Sequence, residues 1–284
     1  MKISRREIIK YSALTLGAGA ASVLTYAALK NELLNPVVER ITIPIHNLAP
    51  TLKGLRIVQI SDIHFKPIVT LNMVRKTVSI INSLQPDLIV ITGDFVTRFI
   101  SAIYEMTPVL AQLRARYGVF ASLGNHDIWV NPSVITQTLN TAGIQVLINQ
   151  GVPISVEGET LWLAGIDDVM SGKPDLKEAL KGSPTKAAIV LLGHEPDPAN
   201  EFSQDGRVSL MLTGHSHGGQ IRLPGIGSPF KAHLAEKYDM GLYKVGDMWL
   251  YVNRGIGVIT SVPLRLNCPP EISEFTLVPH DMEN

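Results

Sequence analysis

Five short, predominantly apolar runs in this chain end the same way, in a sharp break followed by a side chain able to bind a metal. Arg56 to Ile60 leads into Ser61-Asp62, Leu88 to Thr92 into Gly93-Asp94, and Val119 to Leu123 into Gly124-Asn125. Ala188 to Leu192 leads into Gly193-His194, and Ser209 to Thr213 into Gly214-His215. Apolar runs of this length bounded by turn residues read as buried strands. Helix-like stretches such as Leu71 to Leu84 and Ser101 to Leu113 lie between them, and the alternation argues for an α/β architecture. Glycine permits the turn a chain needs as it leaves a strand, which presents the next residue at the strand's carboxyl edge. In open α/β sheets that edge is where ligands bind.

Two of the exits also carry an i, i+2 pair, Asp62-Ile63-His64 and His215-Ser216-His217. In extended backbone, residues two apart face the same side, so each pair can offer two ligating groups to one region. A single such histidine is more cheaply explained as a hydrogen-bonded core or surface residue. Five of the eight histidines (64, 126, 194, 215 and 217) at strand exits beside Asp62, Asp94 and Asn125 reverse that reading. The one cysteine, Cys268, can form neither an internal disulfide nor a thiolate cage, so any metal is held by nitrogen and oxygen. Carboxylate, carboxamide and imidazole together suit divalent cations of the manganese, iron or zinc type. The 284 residues are 45% hydrophobic, which excludes disorder and is enough for one sizeable domain. Lys+Arg and Asp+Glu balance at 25 each, so the basic footprint of a nonspecific nucleic-acid binder is missing and no nucleic-acid partner is expected.

The N-terminus reads as a targeting segment. Lys2, Arg5, Arg6 and Lys10 precede the uncharged run from Tyr11 to Leu29. As a hydrophobic helix this run is long enough to cross a bilayer core of about 30 Å. Ser4-Arg5-Arg6-Glu7-Ile8-Ile9-Lys10 resembles the twin-arginine export signal of bacteria. Residues 1–30 are therefore expected to be a signal or membrane anchor, residues 31–36 a short link, and residues 37–284 one domain. Cleavage is left open by the small-residue sites Ala18-Gly19-Ala20 and Thr25-Tyr26-Ala27. Positive charge at the start keeps that end cytoplasmic, which places the domain at the cell membrane or outside it, with the twin-arginine export machinery as a partner.

Taken in order, Asp62-x-His64, Gly93-Asp94, Gly124-Asn125-His126-Asp127, Gly193-His194 and Gly214-His215-Ser216-His217 resemble the motif blocks of the calcineurin-like metallophosphoesterase superfamily. The Gly214 to Gln220 stretch and the N-terminal apolar segment are most similar to a bacterial branch of exported or membrane-anchored phosphohydrolases. The resemblance implies a four-layer αββα sandwich with a two-metal centre at the strand ends, here preceded by the N-terminal hydrophobic helix. It implies that Asp62, His64 and His217 hold the first metal, that Asn125, His194 and His215 hold the second, and that Asp94 bridges both. A bridging hydroxide would attack phosphorus, and His126 would be the general acid. Asp127 is read as holding its loop or capping a helix, not as catalytic.

One stretch departs from the family. The protein-phosphatase branch has an aspartate and then an arginine shortly after the bridging aspartate, whereas this chain reads Asp94-Phe95-Val96-Thr97-Arg98. Thr97 cannot supply the carboxylate that supports the catalytic histidine there. The expected reaction is therefore cleavage of a phosphodiester or pyrophosphate bond in a phosphorylated small molecule or lipid at the cell envelope. A pyrophosphatase of acylated sugar nucleotides, acting on lipid A precursors, is one alternative, although that chemistry faces the cytoplasm and conflicts with export. A noncatalytic envelope-binding module is the other, and the complete ligand set speaks against it. His46, His233 and His280 read as surface or loop residues, Asp167-Asp168 as a turn after a strand, and Leu223 to Gly241 as a substrate-facing loop.

Overall fold

Each of the five apolar runs forms a strand, and two six-stranded sheets share them. The computed structural model describes residues 35–280 and, before them, residues 4–6, 11, 12, 17 and 19. One sheet holds β1 (Val37–Ile45), β2 (Arg56–Ile60), β3 (Leu88–Thr92), β4 (Val119–Ser122), β5 (Ile144–Val146) and β12 (Glu271–Pro279) in the order β1-β12-β2-β3-β4-β5. The other holds β6 (Gln150–Val156), β7 (Glu159–Gly165), β8 (Ala188–Leu192), β9 (Leu210–Thr213), β10 (Gly241–Val245) and β11 (Met248–Val252) in the order β10-β11-β9-β8-β7-β6. Both sheets are mixed. β2 to β5 run parallel, as do β7, β8, β9 and β11, while β12 lies antiparallel to β2. The architecture is α/β as expected. The expected N-terminal hydrophobic helix falls almost entirely outside the described residues, and among those described no helix is long and apolar enough to cross a membrane.

β3 and β8 are buried at every position, as parallel strands covered on both faces must be. Ile57, Val90 and Phe120 of the first sheet meet Leu163, Val190 and Leu212 of the second in one core. On the outer face of the first sheet pack α1 (Leu71–Ser83), α2 (Ser101–Leu110), α3 (Asn125–Val130) and α4 (Pro132–Thr141). The short helices α5 (Leu176–Ala179) and α6 (Ala199–Phe202) pack against the second. Thr70 caps α1 by accepting from the Met73 amide, and Val74, Val78 and Ile81 place its apolar stripe on the sheet. α2 stops at Leu110, short of the expected Leu113, because Gln112 and Leu113 close it with tighter bonds to the Val109 and Leu110 carbonyls.

Parallel pairing brings the exits of β2, β3, β4, β8 and β9 to one edge of the molecule. β12 runs the opposite way, with Ser273 beside Gln59, and β1 follows it with Val37 beside Glu271, so both begin at this same edge. Of the four exit glycines only Gly93 has positive φ, at +85°. The others serve close approach instead: a Cβ on Gly124 would collide with the Asp94 side chain, and one on Gly214 with Ser61 and Asp62.

Gly93 answers to both constraints, since its Cβ would also lie 2.5 Å from the Gly124 amide nitrogen. Gly93→Ala is therefore expected to destabilise the protein by at least about 3 kcal/mol, against about 1 kcal/mol for Gly143→Ala. Gly143 has φ +80° but open space around it. Equal shifts of the two denaturation midpoints would show that backbone conformation alone accounts for Gly93.

Candidate metal centre

The strand exits gather five of the seven predicted ligands, Asp62, His64, Asp94, His194 and His217. Ligand atoms of Asp62, His64 and His217 lie within 4.8 Å of one another, as do those of Asp62, Asp94 and His194. Asp94 Oδ2 stands 3.2 Å from His64 Nε2 and 3.3 Å from His194 Nε2. Asp62 Oδ1 is 3.4 Å from His217 Nε2, and the His64 and His217 Nε2 atoms are 3.0 Å apart. His215 sits at the margin of this group. Its amide donates to the Asp62 carboxylate at 2.9 Å, its ring meets His194 edge-on, and its Nε2 lies 2.8 Å from the His233 carbonyl, which leaves Nδ1 for a ligand. The sequence reads His233 as a surface or loop residue. Its ring is indeed exposed, but its backbone orients a candidate ligand.

The i, i+2 pairs do not arise from extended backbone. Asp62, His64, His215 and His217 have φ of 49°, 46°, 64° and 51°, and Asp94 has 55°, all in the left-handed region. Such conformations cost about 1–3 kcal/mol for a residue with a side chain, so the surroundings must impose them. They do so through hydrogen bonds: the Asp62 amide donates to the Gly93 carbonyl at 3.0 Å and the His64 amide to the Asp94 carbonyl at 2.9 Å.

These residues fit divalent cations. His194 Nδ1 lies 2.7 Å from the Thr92 carbonyl, which takes its N–H and turns the Nε2 lone pair toward the aspartates. That Nε2 and Asn125 Oδ1 are both buried without a hydrogen-bond partner, and a cation supplies what they lack. His126 also approaches, in a group with His64 and Asp94. Its Nδ1 is taken by the Thr97 carbonyl at 2.8 Å and its amide by Asp94 Oδ1 at 2.9 Å. The chain thus replaces the absent carboxylate with a main-chain oxygen of the very residue that lacks it, a substitution no side-chain motif could reveal.

Other supports were invisible in the sequence. Asp127 is wholly buried, and its carboxylate accepts from the Phe95 amide at 2.9 Å and the Gly124 amide at 3.1 Å, so loop holding and helix capping are one role. Burial and then Asp94 push its pKa to about 7. Arg265, also buried, donates to the carbonyls of Arg254 and Gly257 at 2.7 Å each and lies 3.4 Å from His217 Nδ1. Asp168 is more than a turn residue. Burial and then Glu195 raise its pKa to about 8, while Glu195 accepts from the Val169 and Met170 amides. This fastens the 168–171 loop to the His194 turn. Ser171 of that loop accepts from Trp129 Nε1 at 2.8 Å, and the indole packs on the His126 ring.

Burial opposes charge throughout the cluster, yet the Asp94 carboxylate raises the pKa of His64 and lifts that of His194 well above 6.5. His215 and His217 are pushed down by burial and by neighbouring histidines. Without metal, then, protons on His64 and His194 balance the aspartates. Their stabilisation is fully present below pH 6.5 and is lost as pH rises through the raised values. A cation competes with those same protons and gains affinity as they leave. The difference in Tm between manganese-loaded and chelator-treated protein is thus expected to widen from about pH 6 to about pH 8.5. A gap that stays constant or narrows would contradict this electrostatic balance.

Comparison with known proteins agrees with this centre. A family model described as calcineurin-like phosphoesterase matches residues 55–219. The chain is 34% identical over 283 residues to "Uncharacterized metallophosphoesterase YkuE" of Bacillus subtilis (strain 168), covering 97% of this chain and 98% of that one. It is 34% identical over 239 residues to "Phosphodiesterase YaeI" of Escherichia coli (strain K12), covering 82% and 84% respectively. A Danio rerio protein named "Transmembrane protein with metallophosphoesterase domain" is 33% identical over 269 residues, which cover 90% of this chain but only 60% of the relative. With the family model spanning more than half of its length and relatives matching nearly all of it, the chain belongs to the calcineurin-like phosphoesterase family and is a metal-dependent phosphoester hydrolase.

Proposed function

We propose that this chain cleaves phosphodiester or pyrophosphate bonds at a two-cation centre. In this reading Asp62, His64 and His217 hold one cation, Asn125, His194 and His215 hold the other, and Asp94 is shared. The observation that carries it is that Asp94 Oδ2 is nearly equidistant from His64 Nε2 and His194 Nε2, at 3.2 and 3.3 Å. Two divalent cations, when bound, supply Lewis-acid charge for the nonbridging phosphoryl oxygens and acidify the attacking water.

The chain's own residues do the rest. With Nδ1 tied to the Thr97 carbonyl, His126 has its other ring nitrogen available to protonate the departing oxygen. Burial, partly offset by Asp94, lowers the His126 pKa, which makes its imidazolium a stronger acid while leaving less of the ring protonated at neutral pH. The Trp129 indole packs on that ring, and Asp127 holds the turn that carries it through the Phe95 and Gly124 amides. A main-chain carbonyl behind His126, where protein phosphatases place a carboxylate, favours diester or anhydride substrates over protein phosphomonoesters. The name of the Escherichia coli relative, a phosphodiesterase, supports the same choice.

The domain of residues 37–284 is read as exported or membrane-anchored through residues 1–30. The paired Arg5 and Arg6, the uncharged run of residues 11–29, and the transmembrane relative from Danio rerio support this reading.

Purified protein with manganese is expected to hydrolyse a chromogenic bis-aryl phosphate, and Asp94→Asn to abolish turnover. Equal rates in the two proteins would end the enzymatic assignment. His126→Ala is expected to keep both metals while slowing turnover about 10²–10⁴-fold for alkyl leaving groups and far less for aryl ones, which leave without a proton. Loss of metal in His126→Ala, read by elemental analysis, would make His126 a ligand instead.

A further inference from the structure

The N-terminal segment enters the domain at the edge that carries the metal centre. Val37, the first residue of β1, pairs with Glu271, and its amide donates to the Pro270 carbonyl at 2.9 Å. Two residues on, Glu39 binds Arg254 at 2.5 Å, and the next residue, Gly255, stands directly against Asp62. Residues 30–36 join this point to the uncharged run of residues 11–29. Fully extended, a link of that length spans about 25 Å. A compact domain of this size is about 45 Å across. A tether shorter than the domain cannot let the opposite edge face the membrane.

The exposed apolar side chains have the same bias. Phe99, Trp129, Ile226, Phe230 and Ile259 are five of the eight large hydrophobic residues exposed among those described. Four of the five sit on loops fastened to the site, and Trp129 on the short helix α3 that begins at Asn125. Phe99 follows the Thr97 carbonyl that holds His126, and Trp129 packs on the His126 ring. Ile226 and Phe230 belong to the loop whose His233 carbonyl meets His215, and the Ile259 amide donates to Gln220 beyond the His217 turn. Exposed basic residues, Arg98 and Lys231, adjoin Phe99 and Phe230. By contrast, Trp249 lies at the far edge with its Nε1 on the Pro44 carbonyl, and Trp162 is buried. Apolar side chains dispersed over three loops and one short helix, two of them beside basic residues, suit the headgroup boundary of a bilayer rather than a protein partner, which would call for a continuous patch.

We infer that the metal-centre edge is turned toward the bilayer, with Phe99, Trp129, Ile226 and Phe230 entering the headgroup boundary. The substrate is then an amphiphilic phosphoester taken directly from the lipid surface. This deepens the proposed function and rests on its membrane-anchored reading.

The test uses the full chain with manganese and vesicles of phosphatidylethanolamine and phosphatidylglycerol whose acyl chains are brominated near the headgroup. Bromine quenches tryptophan fluorescence only at contact distance. Quenching is expected in the wild type, retained in Trp249→Phe, and lost both in Trp129→Phe and in the exposed-loop variant Ile226→Asp/Phe230→Asp. Vesicle flotation of the same samples reports the anchor separately, and their hydrolysis of a soluble bis-aryl phosphate reports the enzymatic reading. Flotation with identical quenching in wild type and Trp129→Phe would overturn the orientation while leaving the anchor. Neither flotation nor Trp129-dependent quenching would remove both. Quenching that survives Ile226→Asp/Phe230→Asp would overturn the part assigned to the 223–240 loop.

Discussion

Two buried aspartates facing several buried histidines form an arrangement that cannot exist without compensation. Taking a carboxylate out of water is costly unless a positive partner stands beside it. Asp62 and Asp94 are fully buried, and what faces them is imidazole nitrogen at 3.2 to 3.9 Å. The cluster is stable only with protons or cations among its members, and the family's chemistry takes advantage of that requirement. With divalent cations bound, a chain of zero net charge would carry a positive surplus at this one place, and phosphate would be attracted there.

The same demand explains the backbone. Five of the seven proposed ligands adopt left-handed conformations, a strained choice for aspartate and histidine. The strain is distributed over a frame that fixes each turn independently. Gly93 and Gly124 let two exits touch, the Asp127 carboxylate ties them, and Arg265 gathers the carbonyls around His217. Glu195 and Asp168 do similar work on the other sheet, reaching His126 through Ser171 and Trp129. Such closely interlocked support is how a site holds reacting groups without moving parts.

Much of this is legible in the sequence. The five apolar runs became strands with ends within a residue of expectation, because full burial on both faces of a parallel sheet leaves a compositional mark. The convergence of Asp62, His64, Asp94, His194 and His217 followed from their common place at strand exits. Two features of the site are nevertheless not legible in the sequence. The His pairs share a direction through left-handed turns, not pleated strands, and three of the four exit glycines are there for contact, not for φ. Positive φ is marked only weakly by an Asp or His, which are enriched there but mostly found elsewhere, and contact between chain segments leaves no mark at all.

What the sequence determined by itself was the inventory: which side chains can bind metal, that they follow buried strands, and that no thiolate competes with them. Those properties are local and survive being written on a line. The tertiary structure alone decided how the inventory is oriented. Thr97 serves through its carbonyl, His233 through its backbone, and Arg265 from inside the core, and none of these roles depends on a motif. It also decided that Val37 and the metal centre share an edge, because β1 is placed by pairing with β12 at the opposite end of the chain. Hydrogen bonds between segments far apart in sequence set those relations, and pairwise distance is a quantity that one-dimensional order does not contain.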